Sequence, residues 1–210
     1  MTYRNATIRN LLLFSLTLLG GCEGYSLIKP EQQNVDGALL VKPGMEWNKL
    51  GSLNIEGKIQ VWTLDGTALN RLTFFEGVGD GEALFKPRSG PFGTAKQEEN
   101  PPVFRSSMNP FEVQELLQAT VARNFQTTIV ECRNLKPVQF AGGPGFRFDT
   151  KFTARDEVDR IGAFVGTVRG GRLYALWFFG AGSYYFDRYL PEFNRLADSA
   201  QIAGTVAAAK

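Results

Sequence analysis

Three observations predict an α+β fold, an antiparallel sheet flanked by two helices. The first is Asn109-Pro110-Phe111-Glu112, a helix-capping arrangement followed by Val113, Leu116, Leu117, Thr120 and Val121 at three- and four-residue spacing. The second is a series of strand-like runs between residues 127 and 179, of which Phe146-Arg-Phe-Asp-Thr-Lys-Phe152 mixes apolar and charged residues at period two and the last follows a Gly170-Gly171 turn. The third is the stripe Tyr185, Tyr189, Phe193, Leu196 and Ala200, which repeats at helical spacing near the end of the chain. With 43% hydrophobic content and 17 Phe in 210 residues, the apolar content suffices for one core.

Taken in order, residues 1–21 read as a secretory signal. Arg4 and Arg9 precede the apolar run Leu11 to Leu19, and Gly20-Gly21 supplies the small residues that a signal peptidase needs. The apolar run covers nine residues, about half of the ~20 that a membrane-spanning helix requires. Residues 22–36, with Gly24, Pro30 and Glu31-Gln-Gln-Asn34, are expected to form a flexible tether ahead of a single α+β domain over 37–203. Residues 204–210 are expected to fray.

Within the domain, Ala38 to Val41 suits a short first strand, Pro43-Gly44 a turn, and Trp47 a large apolar anchor. Leu53 to Leu64 alternates, meets Asp65-Gly66, and resumes from Thr67 to Phe75, a hairpin signal. From residue 76 to 108 the pattern dissolves into glycines and prolines, a loop of a length that is often functional. The helix at 109–124 follows, then strands near 127–134, 136–141, 146–153, 158–168 and 172–179. Leu173-Tyr-Ala-Leu-Trp-Phe-Phe179 is apolar enough for a central strand. Pro191 is expected to begin a turn or to kink the last helix.

Composition excludes whole classes of function. Two of the 23 basic residues and none of the 21 acidic ones fall in residues 1–21, so the remainder carries 21 of each. That balance argues against nucleic acid or anionic lipid as a partner recognised by bulk charge, since both demand a basic surface excess. The chain has no histidine, which removes Ser-His-Asp and Cys-His catalysis and every histidine-based metal site. Of two cysteines, Cys132 lies in the strand-like run Thr127-Thr-Ile-Val-Glu-Cys-Arg133 and reads as a small buried residue. No metal and no cofactor are expected.

Asp149, Asp156, Glu157 and Asp159 are the densest acids, and a carboxylate-dependent hydrolase of glycan or lipid would need two of them to face one cleft. Arg147, Lys151, Arg155 and Arg160 interleave with them, as on a solvated hairpin face. Gly77-Val-Gly-Asp-Gly81 and Gly142-Gly-Pro-Gly145 lack the residues of a phosphate-binding loop and read as turns. Ser26-Leu-Ile-Lys29 has the Ser-x-x-Lys spacing of penicillin-recognising enzymes but falls in the expected tether. Trp47, Trp62, Trp177 and Phe179 are candidates for the lining of a small-ligand carrier. The remaining candidate is a binding surface in the long loop, with Arg88, Phe92, Phe104, Arg105 and Met108 as anchors against a partner.

Leu19-Gly20-Gly21-Cys22 resembles the lipobox of bacterial lipoproteins. The resemblance implies cleavage before Cys22, a diacylglycerol on its sulfur and a further acyl chain on its new amino group, hence anchorage to a membrane. In a Gram-negative host, Glu23 rather than Asp after the cysteine implies the outer membrane, with the domain facing the periplasm; in a Gram-positive host the exterior of the plasma membrane is implied.

From Asn109 onward, the order of capped helix, antiparallel strands and terminal helix resembles the PsbP-like α/β/α sandwich. Gly145-Phe-Arg-Phe-Asp149, the apolar Leu173-Tyr174 strand and the ending Asp198-Ser199-Ala-Gln-Ile202 carry the resemblance. The family includes photosystem II assembly proteins, a nuclear import factor that binds Ran, and bacterial envelope proteins. They are mostly binding proteins, so the resemblance implies a non-enzymatic accessory domain with an envelope protein as partner.

Overall fold

A computed structural model describes residues 24–51, 58–85 and 100–204. Eleven strands and two helices are present among them: β1 (Tyr25–Ile28), β2 (Gln33–Val35), β3 (Leu39–Val41), β4 (Trp47–Leu50), β5 (Ile59–Thr63), β6 (Asn70–Val78), α1 (Pro110–Asn124), β7 (Val130–Phe140), β8 (Gly143–Thr153), β9 (Asp159–Arg169), β10 (Arg172–Ala181), α2 (Gly182–Ser199) and β11 (Gln201–Ile202). Eight of the strands form an antiparallel sheet in the order β1-β4-β5-β6-β10-β9-β8-β7, and β11-β3-β2 form a second, small sheet.

The sheet separates two cores. Trp62, Leu72, Phe74, Leu176 and Phe178 face α2, which contributes Phe186, Tyr189, Phe193 and Leu196. On the opposite face Phe75, Phe148, Phe164, Trp177 and Phe179 meet Val113, Leu116, Leu117 and Val121 of α1. Alternation along β10 feeds both layers, so its residues from Ala175 to Gly180 are buried throughout, as expected of a central strand. The result is an α/β/α sandwich.

The start of α1 follows the sequence closely. Asn109 Oδ1 accepts from the backbone N–H groups of Phe111 and Glu112, and Glu112 Oε2 accepts from Asn109 N–H at 2.7 Å, completing a capping box with Pro110 in the first turn. Pro191 neither begins a turn nor ends α2. The helix runs unbroken past it with the proline ring on the exposed side.

Three expectations are corrected. The expected tether at 22–36 is, from Tyr25 on, part of the domain: β1 pairs with β4, and β2 pairs with β3 across Asp36-Gly37. Both of these turn residues have positive φ, 44° and 74°, and Ala38 N–H donates to Val35 O at 3.0 Å, so an Asp-Gly hairpin occupies what reads as a polar spacer. The expected strands at 127–134 and 136–141 are one strand, β7, with an irregularity between Arg133 and Lys136 where Asn134 adopts φ 58°. Pro137 is tolerated there because β7 is the outermost strand. β11, which extends the small sheet, has no counterpart in the expected elements.

Candidate functional site

The loop surface expected from the sequence divides in the structure. Arg88 and Phe92 lie outside the described residues. Phe104, expected as a partner-facing anchor, is fully buried in the α1-side core. Its N–H donates to Glu82 O at 2.8 Å, its C=O accepts from Gly81 N–H at 2.8 Å, and Ala83 bridges Val103. The correction is physical: burying a whole aromatic ring against the core holds this end of the loop to its own sheet. Met108 packs against the same core, half-buried. Arg105 remains at the surface, 3.5 Å from Asp80. Asp80 also accepts from Ser106 N–H at 2.8 Å, and that bond, followed by Arg105, holds its carboxyl below the usual range.

The acids of the β8–β9 hairpin do not converge. Asp149 accepts from Asn134 Nδ2 at 2.8 Å. Asp156 is held by both terminal nitrogens of Arg160, at 2.9 and 2.6 Å, which lowers its pKa to about 2. Asp159 accepts from Thr153 Oγ1 at 2.6 Å and pairs with Lys151 at 3.1 Å. Glu157 sits in the connecting turn at φ 59°. Each hairpin aspartate therefore faces a cation, an amide or a hydroxyl rather than another acid.

Trp47 and Trp62 lie in the α2-side core, whereas Trp177 and Phe179 lie across the sheet in the α1-side core. All four are buried, so they do not line a shared pocket. Burial pushes the Cys132 thiol up to about 12, far from nucleophilic range. Ser26 sits on the exposed outer strand β1. No group of three or more acids or cysteines suited to a metal ion occurs among the described residues.

A site that the sequence reading did not contain lies on the α2 side. A cleft of about 420 Å³ opens between the β3–β4 loop at Gly44 and Met45, the β5–β6 turn at Asp65, and α2. Glu192 reaches from α2 to accept from Gly44 N–H at 2.6 Å and lies 3.4 Å from Arg195 Nε. About one helical turn before Glu192, the Arg188 guanidinium stands over the Tyr184 and Tyr189 rings, at 5.9 and 5.2 Å, and donates to the Tyr184 hydroxyl. Burial first, and then the facing Asp65, push the Tyr189 hydroxyl up to about 12. The cleft thus has an arginine at each end and carboxylates engaged by backbone or side-chain donors. The signal was present as Arg188, Glu192 and Arg195, which share a face at i, i+4 and i+7.

The solution structure of cyanobacterial PsbP (CyanoP) from Synechocystis sp. PCC 6803 superposes with a TM-score of 0.54 at 11% identity, over 88% of this chain and 95% of that one. The fold is PsbP-like. A Pseudomonas aeruginosa protein of unknown function, PA94, described as a putative regulator, matches at a TM-score of 0.41 and 10% identity, over 82% of this chain and 92% of its own. LpqN of Mycobacterium tuberculosis, described as involved in cell envelope biogenesis, matches at 0.35 and 8%, over 88% and 87%. The PsbP superposition alone carries the fold assignment. No protein-family model matches the chain, and no curated protein matches its sequence.

Proposed function

We propose that this protein is an envelope lipoprotein, anchored through acylated Cys22, whose PsbP-like domain is a non-catalytic binding module for a protein partner in envelope assembly or maintenance. The lipobox resemblance at Leu19-Gly20-Gly21-Cys22 supports the anchor. The observation that carries the binding reading is the engagement of Asp149, Asp156 and Asp159 by separate donors, which leaves the hairpin without a catalytic acid–base pair. The location is the periplasmic face of the outer membrane in a Gram-negative host and the exterior of the plasma membrane in a Gram-positive one.

Two measurements test the reading. Photo-crosslinkers placed in cells at positions 86–99, at Arg105 and at the cleft residues Arg188 and Arg195 should capture a defined envelope protein from at least one of these surfaces. Asp149→Asn, Asp156→Asn, Asp159→Asn and Glu157→Gln, combined in one folded variant, should leave cellular function intact. Loss of a purified hydrolytic activity in that variant, with folding preserved, favours the hydrolase instead.

A further inference from the structure

The first paired strand of the domain begins close to the proposed anchor. Gly24 C=O accepts from Gly51 N–H at 3.3 Å, and β1 starts at the next residue. Gly24 follows Cys22 by two residue steps, with only Glu23 between them, and an extended chain of that length spans at most ~7 Å. The headgroup layer on each side of a bilayer is itself about 5–7 Å thick. An acylated Cys22 therefore brings β1 to the membrane surface by reach alone.

β1 is also shaped for that surface. It is the outermost strand of the sheet beyond β4, and its side chains at Tyr25 and Leu27 project to one face, 54% and 56% exposed. Leu50, paired with Tyr25 across the ladder, is half-buried and extends the apolar strip. Tyr25 joins an apolar ring to a polar tip, the property that places tyrosine at membrane–water interfaces. Exposed Lys29 follows the strand with a stem long enough to reach lipid phosphates.

We propose that in the acylated protein the β1 edge, with Tyr25 and Leu27 at its centre, rests in the interfacial zone of the bilayer and fixes the domain's orientation. The inference rests on the acylation of Cys22. A lipid surface is favoured over a strand from another protein because the anchor confines β1 next to lipid, so docking is intramolecular and needs no encounter. The sheet order then sets the β7 edge seven inter-strand steps away, roughly 34 Å from the membrane side.

The test uses the full-length protein purified from membranes, with Cys132→Ser and a single probe cysteine at Ser26 or, as reference, at Ile129 beside β7. Each is labelled with an environment-sensitive fluorophore and reconstituted into phosphatidylethanolamine–phosphatidylglycerol vesicles containing nitroxide lipids. Mass measurement of the amino-terminal peptide is made first: an unmodified Cys22 overturns both the anchor and this inference. With Cys22 acylated, the expected result is strong lipid quenching at 26 and none at 129. Tyr25→Ser with Leu27→Ser should lower the ratio of docked to undocked domain by at least about tenfold, the factor that withdrawing one leucine-sized side chain from lipid supplies. Equal, weak quenching at both sites overturns the inference while leaving the anchor standing. Protection at 26 that is insensitive to nitroxide lipid but rises with protein density also overturns it, in favour of strand pairing between copies.

Discussion

Glu76, on β6, departs far from ordinary carboxylate behaviour. Burial first, and then the neighbouring Asp36, push its pKa from 4.5 to about 8, with Lys49 opposing more weakly. Its Oε1 has no hydrogen-bond partner among the described residues, and Lys49 lies 3.9 Å from Asp36. Between pH 4.5 and 8 the unfolded chain has released this proton while the folded chain keeps it, so the contribution to stability is full below 4.5 and is lost as pH rises to 8. Glu76→Gln is therefore expected to raise the melting temperature more at pH 8 than at pH 5. Equal shifts at both pH values contradict the assigned proton. Side-chain environments of this kind were the least legible from sequence. Glu76 is one acid among 21, and nothing near it in the chain announces Asp36, which reaches it only because β2 and β3 fold as a hairpin. Phe104 was misplaced for the same reason, since its aromatic bulk suits a partner and a core equally well.

At the scale of elements, turn chemistry, helix signatures and the sequential hairpins, including the one across Asp65-Gly66, were readable, and the partnerships of the strands before residue 51 were not. Asn109, Pro110 and Glu112 fixed the start of α1 because a capping box is a local device. Asp36-Gly37 carried the same hairpin signal as Asp65-Gly66, but Gly24, Pro30 and a run of polar residues masked it. This hairpin, with a three-residue loop at 36–38, needs only three residues on each side. The junction of β10 and α2 gives a further test. A Cβ at Gly180 would stand 2.7 Å from the Tyr185 carbonyl carbon and 2.8 Å from the Phe186 Cα, both backbone atoms of the helix. Gly180→Ala should therefore lift α2 from β10 and cost more than about 3 kcal/mol, the upper range for overpacking, read as a lowered urea midpoint. A change below about 1 kcal/mol would mean that α2 does not seat so closely on the strand.

At the scale of the molecule, the meander and its two flanking helices were legible from residue 109 onward, which is why the PsbP-like resemblance emerged from that half. The amino-terminal strands that complete the eight-stranded sheet, and the cleft they form with α2, depend on contacts more than 100 residues apart, such as Gly44 with Glu192. Those contacts make residues 24–51 part of the domain and leave almost no slack between the sheet and Cys22. With the proposed acylation of Cys22, anchor and domain act as one unit, and the central proposal is that lipid on Cys22 holds a binding domain at the membrane. Fractionation of cells expressing Cys22→Ala tests it most directly. The variant should appear in the soluble fraction or be mislocalised, with the circular dichroism and melting temperature of the folded domain retained; unchanged, detergent-dependent membrane association would contradict the account.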